Sequence, residues 1–335
     1  KGVTLIHKHL IENGYDIGER QHIHDNDRLW LGVPVFFSLA SANALMAALT
    51  HGAGVVLQEV FEAEEAMRLI ERHRCTIYYG MPVMTQRIYH HPDRSRYDLS
   101  SLEKGVTIGP EETIRMTMEL VPYISNVYGA TETYGNCAVC DGRLDPEIRA
   151  RSQGKPLPGM EFKIVHPETR ERLKAGESGE VCVRGYITPG YYNDPENNAK
   201  SFDEEGYYLT GDIGYLDEEG FFHYVGRLKE MIKTGGINVS PLSVEECLLK
   251  HPEIWDAHVI GVPDEEKEEV VMAIIEKEKD SRLTAEDVIR YCRERLPNYS
   301  VPKYVEFWKA EDFPRTDTGK VAKRLLKEIV LNRAG

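Results

Sequence analysis

YISNVYGATETYG (123–135) runs an apolar strand straight into a loop that holds an aromatic ring, a glycine, a hydroxyl and a carboxylate within YGATE (128–132). Upstream, LWLGVPVF (29–36), GVVLQ (54–58), CTIYYG (75–80) and GVTIG (105–109) read as further strands. Between them, SANALMAALTHG (41–52) has helical periodicity and a glycine stop, and EAEEAMRLIERHR (62–74) places acid first and base last. That order complements the helix dipole. Strands alternating with helices imply an α/β fold built on a mainly parallel sheet. Such sheets take ligands at the carboxyl ends of their strands, so the YGATE loop is where chemistry is expected.

Downstream the character changes. EFKIVHPETRERL (161–173) and GEVCVRG (179–185) look like strands, and IGYLDEEGFFHYVG (213–226) alternates around an acidic, glycine-containing turn, as a hairpin does. After Gly226 come a helix in SVEECLLKH (243–251), strands in DAHVIGV and VVMAIIE, a helix in AEDVIRYCRERL, a strand in KYVEFW and a terminal helix. The expected domains are 1–226, divided into an α/β part (1–153) and a β-rich part (154–226), and a small α+β domain over 227–335. Acidic DEEKEE (264–269) and KEKD (277–280) read as solvated loops and strand ends, and no internal repeat is present.

Composition narrows the function classes. The chain has 335 residues, 41% of them hydrophobic and 29% charged, and a net charge of −14. A surface this acidic repels a nucleic-acid backbone, so nucleic acid is not expected as a partner. No apolar run is long enough to span a bilayer. Six cysteines are too few for a disulfide framework and fit a reducing compartment, most simply the cytoplasm. Cys137 and Cys140 have CxxC spacing, but without a second ligand pair they read as small, partly buried residues. His22, His24, His90 and His91 read as surface or boundary histidines.

Four clusters carry chemistry. In YGATE, Tyr128 can stack on a base, Gly129 permits close backbone approach, Thr131 can bond a phosphate, and Glu132 can hold a divalent cation. In YLTGD (208–212), Asp212 can accept from both hydroxyls of a ribose, although a turn-capping aspartate would look the same. GRLKEMIKTGGINVSP (226–241) sets Gly235 and Gly236 among Arg227, Lys229 and Lys233, a loop suited to an anionic or extended ligand. In FPRTDTGKVAKR (313–324), Lys320 can deliver a positive charge to a phosphate or carboxylate.

Taken in order, these clusters resemble the motifs of the adenylate-forming (AMP-binding) superfamily, and of its acyl-CoA synthetase branch in particular. YGATE matches YGxTE, GESGEVCVRGYITPGYYNDPE (176–196) matches GExxVRGxxxxxGYxxxPE, and YLTGD, GRLKEMIKTGGINVSP and PRTDTGK match the remaining three. Five motifs in one order over essentially the whole chain are far more specific than any one of them. The resemblance implies that a carboxylate attacks the α-phosphorus of ATP with Mg2+, giving an acyl-adenylate and pyrophosphate. The thiol of coenzyme A then takes the acyl group and releases AMP. By the same resemblance Lys320 bridges carboxylate and α-phosphate, Glu132 holds magnesium, Thr131 and Lys1 contact phosphate, Tyr128 and Gly129 adjoin adenine, and Asp212 with Arg227 holds the ribose. Lys233 and Asn238 contact the adenylate in the thiolation pose, Gly235 and Gly236 line the pantetheine, and Lys229 is the hinge, near 227–230, of a mobile C-terminal domain.

Three departures from the family pattern stand out: Leu209 replaces a basic residue, Ser243 replaces a glutamate, and Phe37 stands where many CoA ligases carry histidine. Phe36, Phe37, Gly109, Tyr134 and Gly135 are the acyl-pocket candidates, and the aromatic pair suggests a hydrophobic fatty, aryl or polycyclic acid. The resemblance also makes Lys1-Gly2-Val3 the tail of a phosphate loop, with the first part of the large domain expected upstream. A homodimer is compatible with this reading. Two rivals stay open: an adenylating enzyme that loads a carrier-protein phosphopantetheine, and a catalytically silent nucleotide-binding fragment.

Overall fold

The computed structural model describes residues 2–315 and 321–334. The chain divides into two compact units, Lys1–Tyr224 and Val225–Gly335, against a boundary read from sequence at Gly226.

The first unit begins with helix α1 (His7–Arg20) and strand β1 (Arg28–Leu31), followed by α2 (Leu45–Thr50) and β2 (Gly54–Leu57). Next come α3 (Ala63–His73), β3 (Ile77–Gly80), α4 (Pro82–Tyr89) and β4 (Lys104–Thr107). The sheet is completed by α5 (Glu111–Leu120), β5 (Tyr123–Ala130), β6 (Gly135–Val139), α6 (Pro146–Arg151) and β7 (Lys155–Pro156). Among the described residues the strand order is β2-β1-β3-β4-β5-β6-β7. The pairings from β2 through β5 are parallel, and β5-β6 and β6-β7 are antiparallel. The order reverses between β1 and β3, so their carboxyl ends flank a topological switch point, and those of β4 and β5 follow along the same edge of the sheet.

β3 and β4 are buried along their whole lengths, as strands covered on both faces must be. Trp30 stacks on Tyr78 at 5.3 Å between ring centroids, and each buried polar tip has a partner. Tyr78 bonds Thr85 (3.0 Å), Tyr79 accepts from Gln21 (2.6 Å), and the Trp30 indole donates to Gln58 (3.1 Å). α3 lies where the charge order placed a helix. Its Glu62 carboxylate caps the backbone N–H groups of Glu64 and Glu65 at 3.0 and 2.7 Å. Those bonds hold the Glu62 pKa below the ordinary carboxylate range.

Two elements differ from the sequence reading. The strand expected over 29–36 stops at Leu31, because Gly32 and Pro34 break the ladder. The helix expected over 41–52 opens as a π-helix over Leu39–Ala44 and only then becomes α2. Within that wide turn Asn43 reaches across to β6: its side-chain carbonyl accepts from Asn136 N–H (3.0 Å) and its amide donates to the Ser38 carbonyl (3.1 Å). Such π-turns recur beside functional sites.

An antiparallel sheet follows, built from β8 (Glu161–Val165), β9 (Gly179–Arg184), β10 (Tyr208–Leu216) and β11 (Phe222–Arg227), with α7 (Pro195–Ser201) between β9 and β10; β11 carries the chain across the Tyr224 boundary. The strand in EFKIVHPETRERL ends at Val165, where HPETR turns with Arg170 at φ +64°. The β10–β11 hairpin forms as expected, with Asp217 capping Glu219 and Phe221 N–H and Gly220 at φ +82°.

The second unit comprises β12 (Ile232–Thr234), β13 (Ile237–Val239), α8 (Pro241–Leu249), β14 (Ile254–Asp264), β15 (Glu268–Lys277), α9 (Ala285–Arg293), β16 (Tyr304–Phe307) and α10 (Lys323–Ala334). β15 alternates strictly. Val271, Ala273 and Ile275 join a core with Val244, Leu248, Val288 and Cys292, whereas Val270, Met272 and Ile274 join Leu326 and Val330 on the opposite face. The period of two therefore buries both faces, one under α8 and α9 and the other under α10.

Among the described residues no helix is long and apolar enough to cross a membrane. Cys137 and Cys140 are fully buried rather than partly so, and burial pushes their thiols up to about 12 and about 11. Thiols held protonated in this way are unsuited to redox chemistry at neutral pH.

Candidate active site

β5 leaves the sheet at Ala130 and returns through a single tight turn over Thr131–Thr133 into β6. The turn is closed by the Thr133 hydroxyl, which accepts from Ala130 N–H and lies 3.0 Å from the carbonyls of Ala130 and Gly135. A Cβ on Gly129 would lie 1.6 Å from the Gly135 carbonyl oxygen, so only glycine allows this approach. Thr131 is thereby left exposed and Glu132 half-buried at the carboxyl end of the sheet.

The YLTGD segment meets this loop. A bulge between Leu209 and Ile213, with Gly211 at φ +69°, re-aims Asp212, and Thr210 caps the Asp212 N–H at 3.0 Å. Tyr128, 84 positions earlier in the chain, donates its hydroxyl to Asp212 at 2.7 Å. Burial, followed by the Asp212 charge, raises the Tyr128 pKa well above its ordinary value, so the phenol stays a donor. The Tyr128 ring packs on Phe222 and Tyr224, at 4.6 and 5.9 Å between centroids. Leu209 packs beside Val165, Cys182 and Tyr207, which accounts for an apolar residue at that position.

Glu132 has partners that the motif did not announce. Tyr191 donates to its Oε1 at 2.8 Å, Tyr208 lies 3.2 Å from the Tyr191 hydroxyl, and the Glu132 carbonyl accepts from Thr188 N–H at 2.7 Å. A half-buried carboxylate already oriented by a phenol is a hard oxygen ligand of the kind magnesium prefers. Among the described residues no group of three or more His, Cys, Asp or Glu is arranged to hold a metal. One carboxylate fits a cation whose other ligands are phosphate oxygens and water.

The acyl-pocket candidates fall in three places. Phe36 is exposed and Phe37 half-buried, with their rings 4.6 Å apart, just ahead of the π-helix. Gly109 follows β4 at φ +130°. Tyr134 is fully buried at φ +58°, and its hydroxyl accepts from Ile6 N–H at 2.9 Å. Gly135, at φ +95°, sits against Asn43 of the π-helix, and so ties β6 to the segment that follows Phe37.

In the second unit, β12 and β13 form a two-residue hairpin whose central residues Gly235 and Gly236 have φ of +56° and +79°. Positive φ at both positions is what a type I′ turn requires. The register sets Lys233 directly opposite Asn238, both exposed. Arg227 and Lys229 are also exposed. At the start of α8 the Ser240 hydroxyl caps the Ser243 N–H, and the Ser243 hydroxyl donates back to the Ser240 carbonyl at 2.8 Å. Lys1 and Lys320 lie outside the described residues. Arg315 forms a bridge with Val321, and Lys323 pairs with buried Glu245 at 2.7 Å. Glu245 also accepts from Val259 N–H at 2.7 Å.

With this geometry in place, the comparisons are specific. The family model of the AMP-binding enzyme matches residues 1–192, and that of the AMP-binding enzyme C-terminal domain matches 243–320. The chain is 34% identical, over 98% of its length, to the mitochondrial medium-chain acyl-CoA ligase ACSF2 of Mus musculus, covering 55% of that protein. It is also 34% identical over 98% of its length to the 3-[(3aS,4S,7aS)-7a-methyl-1,5-dioxo-octahydro-1H-inden-4-yl]propanoyl:CoA ligase of Rhodococcus jostii, covering 62% of it. The crystal structure of ATP-bound MatB from Rhodopseudomonas palustris superposes with a TM-score of 0.89 at 26% identity, over 98% of this chain and 65% of that one. The chain thus spans somewhat more than half of each curated relative. Two family models in sequence order, together with a Tyr128–Asp212 pair at the carboxyl end of the sheet, make this chain a member of the AMP-binding enzyme family.

Proposed function

We propose that the protein is an ATP-dependent acyl-CoA synthetase that adenylates a hydrophobic carboxylic acid and passes the acyl group to the thiol of coenzyme A. The observation that carries the reading is the meeting of Tyr128, Asp212 and Glu132 around one loop, within a chain whose relatives ligate acids to CoA. The physical demand of the first step is to bring two anions together, and fixed charges placed where negative charge develops meet it. Glu132 would hold magnesium, which supplies charge neutralisation at the phosphates when bound. Asp212 with Arg227 would hold the ribose, Tyr128 with Gly129 would adjoin the base, and Thr131, Lys1 and Lys320 would face the phosphates. Lys229 would act as the hinge that brings Lys233, Asn238 and the Gly235–Gly236 turn to the adenylate for the second step.

Phe36 and Phe37 favour an acyl group more hydrophobic than acetate. The medium-chain and fused-ring acids named for the two relatives belong to that class. A cytoplasmic location and a homodimeric assembly are part of the same proposal. Pyrophosphate release from ATP across acetate, medium- and long-chain fatty acids, benzoates and fused-ring acids tests it. Release only with hydrophobic acids, abolished by EDTA, is the expected result, and no release with any acid would refute it. Thioester formed only on a phosphopantetheinyl carrier, and never on CoA, would favour the carrier-loading enzyme instead.

Gly236→Ile is expected to slow thiolation of a supplied acyl-adenylate at least about tenfold while adenylate formation persists. Gly236 has open space around it, so the cost arises from a β-branched residue forced to φ +79° in the turn. An unimpaired second half-reaction in single-turnover kinetics would remove the turn from the thiol path.

A further inference from the structure

Residues 188–192 form a strap that touches both ends of the nucleotide grip. On one side, Thr4 N–H donates to the Gly190 carbonyl (3.0 Å), Tyr192 N–H donates to the Gly2 carbonyl (2.7 Å), and Val3 pairs antiparallel with Tyr191. The Thr188 hydroxyl donates to the Thr4 carbonyl at 2.6 Å. On the other side, Thr188 N–H donates to the Glu132 carbonyl and the Tyr191 hydroxyl to the Glu132 carboxylate. The strap is itself clamped. Asn198 accepts from Tyr191 N–H (2.6 Å) and donates to the Tyr191 carbonyl (3.0 Å), and Gly190 at φ +137° leaves the room for Asn198 that a Cβ would fill.

Tyr191 is 3% exposed, and its hydroxyl is shared between Glu132 and Tyr208. Burial, the Tyr191 bond and the Glu132 charge together raise the Tyr208 pKa, so its phenol remains a donor. Removing one hydroxyl from Tyr191 would free the carboxylate to rotate without disturbing the backbone pairs.

We infer that Tyr191 is a positioning residue: through its hydroxyl it holds the Glu132 carboxylate at a set distance from the Gly2–Thr4 stretch, and so sets the affinity for the metal–nucleotide complex rather than for the acid. This rests on the proposed function, which makes Glu132 the metal ligand. Outer partners of metal ligands commonly change metal affinity about 10–100-fold when removed.

The test compares wild type with Tyr191→Phe by calorimetric titration with ATP, once with magnesium and once with EDTA, alongside hydrogen exchange at the Thr188 amide. The expected result is about tenfold weaker binding of ATP with magnesium, unchanged binding with EDTA, and unchanged Thr188 exchange, because the backbone pair to the Glu132 carbonyl stays in place. Equal loss in both titrations would make Tyr191 a packing residue and overturn the inference. If wild type bound no nucleotide, the functional reading of this chain would fall, and faster Thr188 exchange in Tyr191→Phe would make Tyr191 a residue that holds the strap and overturn the positioning role by itself. Tyr208→Phe, one bond further out, is expected to give a smaller change of the same pattern, and a larger one would shift the role from Tyr191 to Tyr208.

Discussion

Lys320→Ala is expected to slow adenylate formation by about 10²–10³-fold while leaving thiolation of a supplied acyl-adenylate nearly unchanged. The lysine is proposed to neutralise charge only while carboxylate and α-phosphate approach each other, so its loss falls on one barrier. The described residues on either side of it indicate why the effect should be local. Arg315 bridges Val321, and Lys323 pairs with Glu245, and neither contact uses the Lys320 side chain. Burst kinetics of pyrophosphate release, set against single-turnover CoA acylation, separate the two half-reactions. Equal damage to both would contradict the assignment, and an unaffected first step would remove Lys320 from it.

Gly135→Ala is expected to destabilise the first unit by roughly 3–5 kcal/mol, enough to reduce soluble yield. Two costs add. Gly135 has φ +95°, which a side chain tolerates poorly, and its Cβ would lie 1.6 Å from Asn43 Nδ2. Asn43 cannot retreat cheaply, because both ends of its amide are engaged, by Asn136 N–H and by the Ser38 carbonyl. Gly206→Ala is the internal control: φ is +78° but nothing lies within 4 Å, so about 1 kcal/mol of backbone strain is all it should cost. Urea midpoints of the two variants decide the matter, and equal losses would show that the Asn43 contact contributes nothing.

Much of the fold was legible in advance because its signals are local. The acid-to-base order of α3, the turn residues of the β10–β11 hairpin and the apolar run of β15 all act within a few residues, and the structure places these elements where they were read. Of the two errors, one is a local break that hydrophobicity hides and the other depends on a distant contact. LWLGVPVF reads as one strand by hydrophobicity, yet the chain turns at Gly32 and Pro34, and the helix that follows widens into a π-turn. The partner of that turn, Asn136, lies 93 positions away, beyond the reach of any window of sequence.

The site divides in the same way. Order and spacing of five motifs identify the family and nominate Tyr128, Glu132 and Asp212. The pairing of Tyr128 with Asp212, the anchoring of Glu132 by Tyr191 and the strap over Gly2–Thr4 appear only in three dimensions. Tyr191 stands inside a quoted motif, GYYNDPE, but motif membership assigns it no partner. Residue types and periodicity determined the parallel sheet, the hairpins and the chemistry on offer, because these depend on side-chain character and near neighbours. Which side chains face one another was decided by the tertiary structure alone, because a hydrogen bond is set by position in space and chain separation carries no information about it.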